Sequence, residues 1–261
     1  MKEALKQKSA SAKASADRSQ TLEGLNKQQE KAVTYGSGPL LIIAGAGTGK
    51  TTVLTRRISW LIEQGLAKPD EILALTFTEK AATEMEERVD QLMPLGYVDI
   101  DISTFHAFGQ KILQQHALDI GLPGDFKVVT ETQAWMLLKK HIHDLTLDYY
   151  RPIGNPSKFI HALLRHFNKV QGEEISPQQY LDYAQGLKLN NDDNDDNDSL
   201  RIREVAEAYH FYQKLLLDNS YLDFGDLINY TLKLFRTRPK ILKFYQNKYK
   251  YILVDEFQDT D

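Results

Sequence analysis

The stretch LLIIAGAGTGKTT, residues 40–52, decides how this 261-residue chain is read. An apolar run, LLIIA, reads as a buried strand, and the TTVLTRRISWLI that starts at Thr51 reads as a helix. The turn between them matches the phosphate-loop pattern G-x-x-x-x-G-K-[ST], except that Ala44 stands at the first glycine. Gly45, Gly47 and Gly49 let the backbone turn its amides inward as a nest for phosphate oxygens, and the helix behind adds its positive N-terminal dipole. Lys50 then reaches the β and γ phosphates, and the Thr51 hydroxyl is a ligand for Mg²⁺. The nucleotide-contacting segment is taken as Ala44, Gly45, Ala46, Gly47, Thr48, Gly49, Lys50, Thr51 and Thr52. A glycine-rich turn with an incidental lysine is the bland alternative, and the strand and helix flanks argue against it.

Outward from this loop, ILALT (72–76), VDIDI (98–102) and YILVD (251–255) are further short apolar runs alternating with helical patterns. Such runs read as strands buried on both faces, which implies a parallel α/β sheet of the Rossmann or P-loop kind. From about His116 to Tyr221 the texture is helical. NPSKFIHALLRHF offers Ser157 as N-cap, with Phe159, Ile160, Leu163, Leu164 and Phe167 on one face, and ISPQQYLDYA offers Ser176 as cap with Pro177 at the first helical position. A third helix carries Ile202, Val205, Ala206, Tyr209 and Leu216 on one face.

Strands flank this stretch, so it reads as an all-helical subdomain inserted into the sheet domain. The expected division is a disordered leader over 1–21, the sheet domain over 22–115, the insertion over 116–221 and the sheet domain again over 222–261. His141 and His143, two residues apart on a helix, point away from each other and suggest surface or packing residues rather than a metal pair.

Composition sets loose bounds. With 42% hydrophobic and 26% charged residues the chain has material for a folded core, and the absence of cysteine removes disulfides and thiolate metal sites. No segment approaches the length of a membrane span and the N-terminus has no apolar signal core, so a cytoplasmic protein is expected. The net charge of −4 disfavours a phosphate-rich partner only until NNDDNDDND (190–198) is set aside; without its five aspartates the balance is +1. That run lacks the glycine turn and spaced glutamate of a calcium loop and reads as a solvated linker.

A phosphate loop does not choose among kinases, GTPases and ATPases. YILVDEFQDT chooses. It delivers Asp255 at the carboxyl end of a strand, where ligands of such sheets sit and where a Mg²⁺-associated carboxylate belongs. Glu256 beside it suits the orientation and deprotonation of water, which argues for hydrolysis.

These two motifs and the segments between them resemble the UvrD/Rep/PcrA family of superfamily 1 DNA helicases from Leu22 onward. LNKQQEKAV is similar to its Q motif, which implies that Gln29 reads the adenine edge; LALTFTEKAATEMEERV resembles motif Ia, ISTFHAFG motif Ib, and LDFGDLI the acidic segment before the Walker B strand. The resemblance implies a RecA-like first motor domain with a helical accessory insertion, ATP and Mg²⁺ as cofactors, and single-stranded DNA and single-strand/duplex junctions as partners. It implies catalytic roles for Lys50, Asp255, Glu256 and Gln258, metal ligation by Thr51 and Asp255, and DNA contacts from Thr76, Phe77, Thr78, Lys80, Thr104 and His106.

From the residues alone Phe77 and Phe105 read as core packing, which the resemblance reverses for Phe77 only, and His106 is equally readable as a DNA contact and as a structural hydrogen-bonding group. Two positions depart from the family. Glu79 stands where asparagine is usual, putting a negative charge in a DNA-contact loop, and Gly225 stands where a third acidic residue is more common, which touches the role of Asp223 and Asp226.

The family places ATP between two motor domains, the second supplying arginines. The chain is therefore expected to be the N-terminal part of a longer protein that translocates on single-stranded DNA and unwinds duplex, 3′ to 5′ by resemblance. The stretch alone is expected to hydrolyse ATP very slowly, because arginine fingers are worth about 10³ to 10⁵ in rate. The competing readings are the motor subunit of an AddA- or RecB-type helicase–nuclease and a nucleotide-dependent DNA-binding switch; a small-molecule kinase fits less well, since nothing resembles a lid.

Overall fold

The computed structural model describes residues 21–93, 99–150, 154–155, 157–187 and 196–259. The leader up to residue 20, Val98 and the greater part of the acidic run, 190–195, lie outside the described residues. Asp196–Asp198, expected in that linker, instead open a helix.

Two compact units divide the chain: residues up to Phe108 together with those from Lys240 on, and Gly109–Pro239 between them. The helical unit is wider at both ends than the expected 116–221. Gly109 lies against the Leu227 backbone, where a Cβ would come within 3.1 Å of its carbonyl oxygen, and Leu113 shares a core with Leu222 and Leu227.

The first unit is built on three parallel strands, β1 (Ile72–Thr76), β2 (Asp101–Thr104) and β5 (Tyr251–Val254), in the order β2-β1-β5. All five residues of β1 are buried, as a central strand covered on both faces requires. Its register aligns Thr76 with Thr104 and Leu75 with Val254, so all three strands end together. Helices α1 (Lys27–Val33), α2 (Lys50–Glu63) and α3 (Glu79–Leu92) belong to this unit. Ile58 and Leu61 of α2, Met85 and Val89 of α3, Ile72 and Ala74 of β1 and Leu253 of β5 form one core.

Three strand expectations need correction, the first being VDIDI (98–102), whose strand is Asp101–Thr104, an edge of the sheet with Asp101, Ile102 and Ser103 only half-buried. Residues 40–44 form no strand: the segment is irregular, with Leu41 69% and Ile43 90% exposed. A five-residue run has no stability of its own and becomes a strand only by pairing, and this run joins no ladder in the structure. The β5 run is not buried on both faces either, because β5 is an edge of the sheet and Ile252 is 62% exposed.

The second unit begins within α4 (Phe105–His116), continues through a two-residue parallel ladder of β3 (Lys127–Val128) with β4 (Tyr221–Leu222), and contains α5 (Glu131–Lys140), α6 (Ile160–Gly172), α7 (Pro177–Gly186), α8 (Asp196–Asp218) and α9 (Phe224–Thr237). Helix α10 (Pro239–Lys248) leads back to β5. The expected apolar faces hold: Ile160, Leu163, Leu164 and Phe167 share a core with Leu138, Val205, Tyr209 and Leu216.

Ser176 caps α7 reciprocally with Gln179, and Pro177 is its first residue. Ser157 does not cap α6. Its amide and hydroxyl both bond the Asn155 side chain, at 3.2 and 2.9 Å, and the helix begins only at Ile160. His141 and His143 follow the end of α5 rather than sit on it, and His141 Nδ1 lies 2.8 Å from Asp144 Oδ2.

Candidate active site

The carboxyl ends of β1, β2 and β5 carry Thr76–Thr78, Thr104–His106 and Asp255–Glu256, so the segments expected on DNA and the two carboxylates that close the motif leave the sheet at one edge. In the loop itself Gly47 and Gly49 take left-handed φ of +73° and +89°, a backbone that side-chain-bearing residues rarely adopt. Gly49 is also the N-cap of α2, and no side chain caps that helix. Its first-turn amides are left to an anion. The Thr48 hydroxyl closes the loop on itself by donating to the Gly45 carbonyl at 2.7 Å.

Two pairs join this loop to the other end of the chain. Thr51 Oγ1 donates to Asp255 Oδ2 at 2.9 Å, across 204 residues of sequence, and Lys50 Nζ lies 4.0 Å from Glu256 Oε1 and 3.3 Å from the Ala44 carbonyl. Asp255 is 5% exposed; its second oxygen accepts the Glu256 amide at 3.0 Å. Glu256 has φ of +50°, a strained setting for a residue with a Cβ and one that clusters at functional sites. Gln258 Nε2 donates to the Glu256 carboxylate.

The donor set fits Mg²⁺ with a triphosphate: one hydroxyl and one carboxylate from the chain, the remaining oxygens from phosphate and water, as magnesium sites of this kind prefer. Among the described residues there is no cluster of three or more metal-ligating side chains, and such a site does not need one.

Gln29 Nε2 donates to the Thr48 carbonyl at 3.0 Å, while its Oε1 accepts the Asn26 amide to complete a capping box on α1. The amide assigned to adenine is thus held beside the phosphate loop. What holds α1 there is Arg57, which the sequence reading missed. Its guanidinium donates to the carbonyls of Ala32, Val33, Tyr35 and Gly36 at the end of α1 and stacks over Tyr35. Burial pulls its pKa below the ordinary guanidinium value, opposed by Tyr251 and Tyr35. The sequence carries only a faint signal for it, an arginine standing among the apolar positions Leu54, Ile58 and Leu61 of α2; its 7% exposure and its partners appear only in the fold.

The residues expected on DNA divide by exposure. Phe77 is 57% exposed, which removes the core reading for it, and Lys80 is exposed as well. Thr78 caps α3 by accepting the Ala81 amide at 3.1 Å. Thr76 is 1% exposed and its hydroxyl has no partner among the described residues, while Thr104 is 4% exposed and donates to Glu79 at 2.8 Å. Neither of these two hydroxyls faces solvent. His106 is half-buried; burial lowers its pKa and the Glu79 charge works against that.

Asp223 and Asp226, whose part in ordering the site the departure at Gly225 called into question, lie in the helical unit. They form the reciprocal cap of α9 and share the Gln171 amide at 2.9 and 3.1 Å, and Tyr212 donates to Asp223 at 2.9 Å. Gly225 has a local reason: a Cβ there would meet Gln171 Oε1 at 2.6 Å.

The family described as the UvrD/REP helicase N-terminal domain matches residues 25–261. A probable DNA helicase II homolog of Rickettsia felis is 42% identical over 242 residues, 91% of this chain and 34% of its own. The ATP-dependent DNA helicases PcrA of Bacillus subtilis and Staphylococcus aureus are 40% and 37% identical, over 93% and 92% of this chain and 30% of theirs. The chain thus spans about a third of the length of these curated relatives. A phosphate loop bonded to the end of β5, with matches of this extent, shows that the chain belongs to the UvrD/REP helicase N-terminal domain family.

Proposed function

We propose that this chain is the ATP-hydrolysing portion of a cytoplasmic DNA motor that moves on single-stranded DNA, 3′ to 5′, and unwinds duplex at junctions. The observation that carries the reading is the Thr51–Asp255 hydrogen bond, which sets the two halves of a Mg–ATP site in contact. Bound Mg²⁺ supplies charge neutralisation on the β and γ phosphates. The chain's own groups do the rest. Lys50 neutralises the outer phosphates, Thr51 and Asp255 hold the cation, and Glu256 orients water and accepts its proton. Gln258, bonded to Glu256, is placed to feel whether that proton has moved. Phe77 offers an exposed ring to a base, a contact worth about 1 to 3 kcal/mol and indifferent to sequence.

Lys50→Ala in the full-length gene product tests the site. DNA-stimulated ATP hydrolysis and strand separation are expected to fall to background while the fold, read by circular dichroism, is kept. Persistence of either activity would show that the nucleotide lies elsewhere.

A further inference from the structure

We propose that Arg57 is a positioning residue for the choice of base: through α1 it holds the Gln29 amide in the one sense that accepts adenine and refuses guanine. The proposal deepens the nucleotide reading above and rests on it. Arg57 stands on α2 about two turns beyond Lys50, so the helix that opens at the phosphate loop also carries this anchor. It is buried, and its guanidinium donates to the carbonyls of Ala32 at 3.3 Å, Val33 at 3.0 Å, Tyr35 at 2.6 Å and Gly36 at 3.4 Å. Helix α1 stops at Val33, so its last carbonyls have no amide one turn on, and a planar fork of donors meets that need at one point. A helix of seven residues has little stability of its own; α1 holds its place by its anchors, the buried Val33 and this guanidinium.

In the first turn of α1 the Gln29 side chain is pinned twice. Its Oε1 accepts the Asn26 amide at 3.0 Å, and its Nε2 donates to the Thr48 carbonyl, inside the phosphate loop, at 3.0 Å. Turning the amide over would set Nε2 against an N–H and Oε1 against a carbonyl, so its sense is fixed. A side-chain amide has two hydrogens and two lone pairs, and among the described residues one of each is used. One donor and one acceptor remain side by side. They complement adenine's N7 and N6 amino edge, whereas guanine presents two acceptors there, N7 and O6. The amide also lies against the loop's last glycine, since a Cβ on Gly49 would sit 3.1 Å from Gln29 Nε2.

A buried arginine that only stabilises the fold would weaken every ligand alike or none, whereas a positioning residue changes the preference among bases. Binding of Mg–ADP, Mg–GDP and pyrophosphate with Mg²⁺ to the full-length gene product is measured by titration calorimetry. Wild type is expected to favour ADP over GDP by about 5- to 150-fold, the discrimination of one bidentate pair on a base edge. Arg57→Met keeps the length and the apolar burial but gives up the donors. It should lose most of this preference, while pyrophosphate, which has no base to read, binds as before. Arg57→Lys, which returns a cation with donors at the same place, should keep part of it. Gln29→Ala should abolish the preference, and adding Arg57→Met to it should leave the ratio where it is, since both act on one contact. Should Arg57→Met not fold, as judged by circular dichroism, Arg57→Lys decides, with a ratio below wild type expected. An unchanged ratio in the folded Arg57 variants, an equal loss for all three ligands, or a wild type that binds ADP and GDP equally overturns the proposal and leaves the phosphate site in place. If wild type binds none of the three, the nucleotide reading itself falls, and this one with it.

Discussion

Glu256 carries the heaviest burden per atom. Its left-handed backbone turns the carboxylate towards Lys50, and Gln258 holds its other oxygen. Glu256→Gln keeps the size and the bond-accepting oxygen but cannot take a proton; single-turnover ATP hydrolysis is expected to drop about 10² to 10⁴-fold. Nucleotide affinity, read by fluorescence titration, should stay within a few-fold of wild type. The residues of this site were legible because a phosphate nest is a local object: three glycines, a lysine and two threonines fall within the seven residues from 45 to 51. Glu79 was legible only as a misplaced charge, since its tie to Thr104 depends on strand register across 25 residues. Arg57 was hidden for the same reason, its partners lying 21 to 25 residues earlier.

Among the elements, β1 read correctly from ILALT because a central strand is apolar throughout, and α7 because its cap is written in four consecutive residues. Residues 40–44 look just as apolar and pair with nothing, since pairing belongs to the sheet and not to the segment. Helix α9 shows what composition conceals. Its capping pair, Asp223 and Asp226, is buried, and burial first, then the Asp223 charge, holds Asp226 well above the ordinary carboxyl pKa. The native state therefore keeps a proton that the unfolded chain releases near about pH 4. Its contribution is complete below that value and fades as pH rises towards the native pKa. Asp226→Asn, which needs no proton, should flatten this decline, as urea midpoints collected between about pH 4 and pH 8 will report.

Among the described residues each unit has its own interior: the first a core around Ile58, Met85 and Leu253, the second a core around Leu138, Phe167 and Tyr209 and another around Leu113, Leu222 and Leu227. The groups proposed to hold nucleotide, Gln29, Lys50, Thr51, Asp255 and Glu256, all lie in the first unit. Calorimetry is expected to resolve two transitions, with Mg–ATP raising one of them. At a hundredfold excess over Kd the shift corresponds to about 2.7 kcal/mol. A single transition that moves as one would mean that the cores melt together. One feature of the sheet reaches beyond catalysis. With β5 as an outer rung and Ile252 turned to water, the chain presents an unsatisfied template for another extended segment. Ile252→Lys is expected to weaken any strand-to-strand self-association of this chain at high concentration, as sedimentation of the two proteins side by side will report.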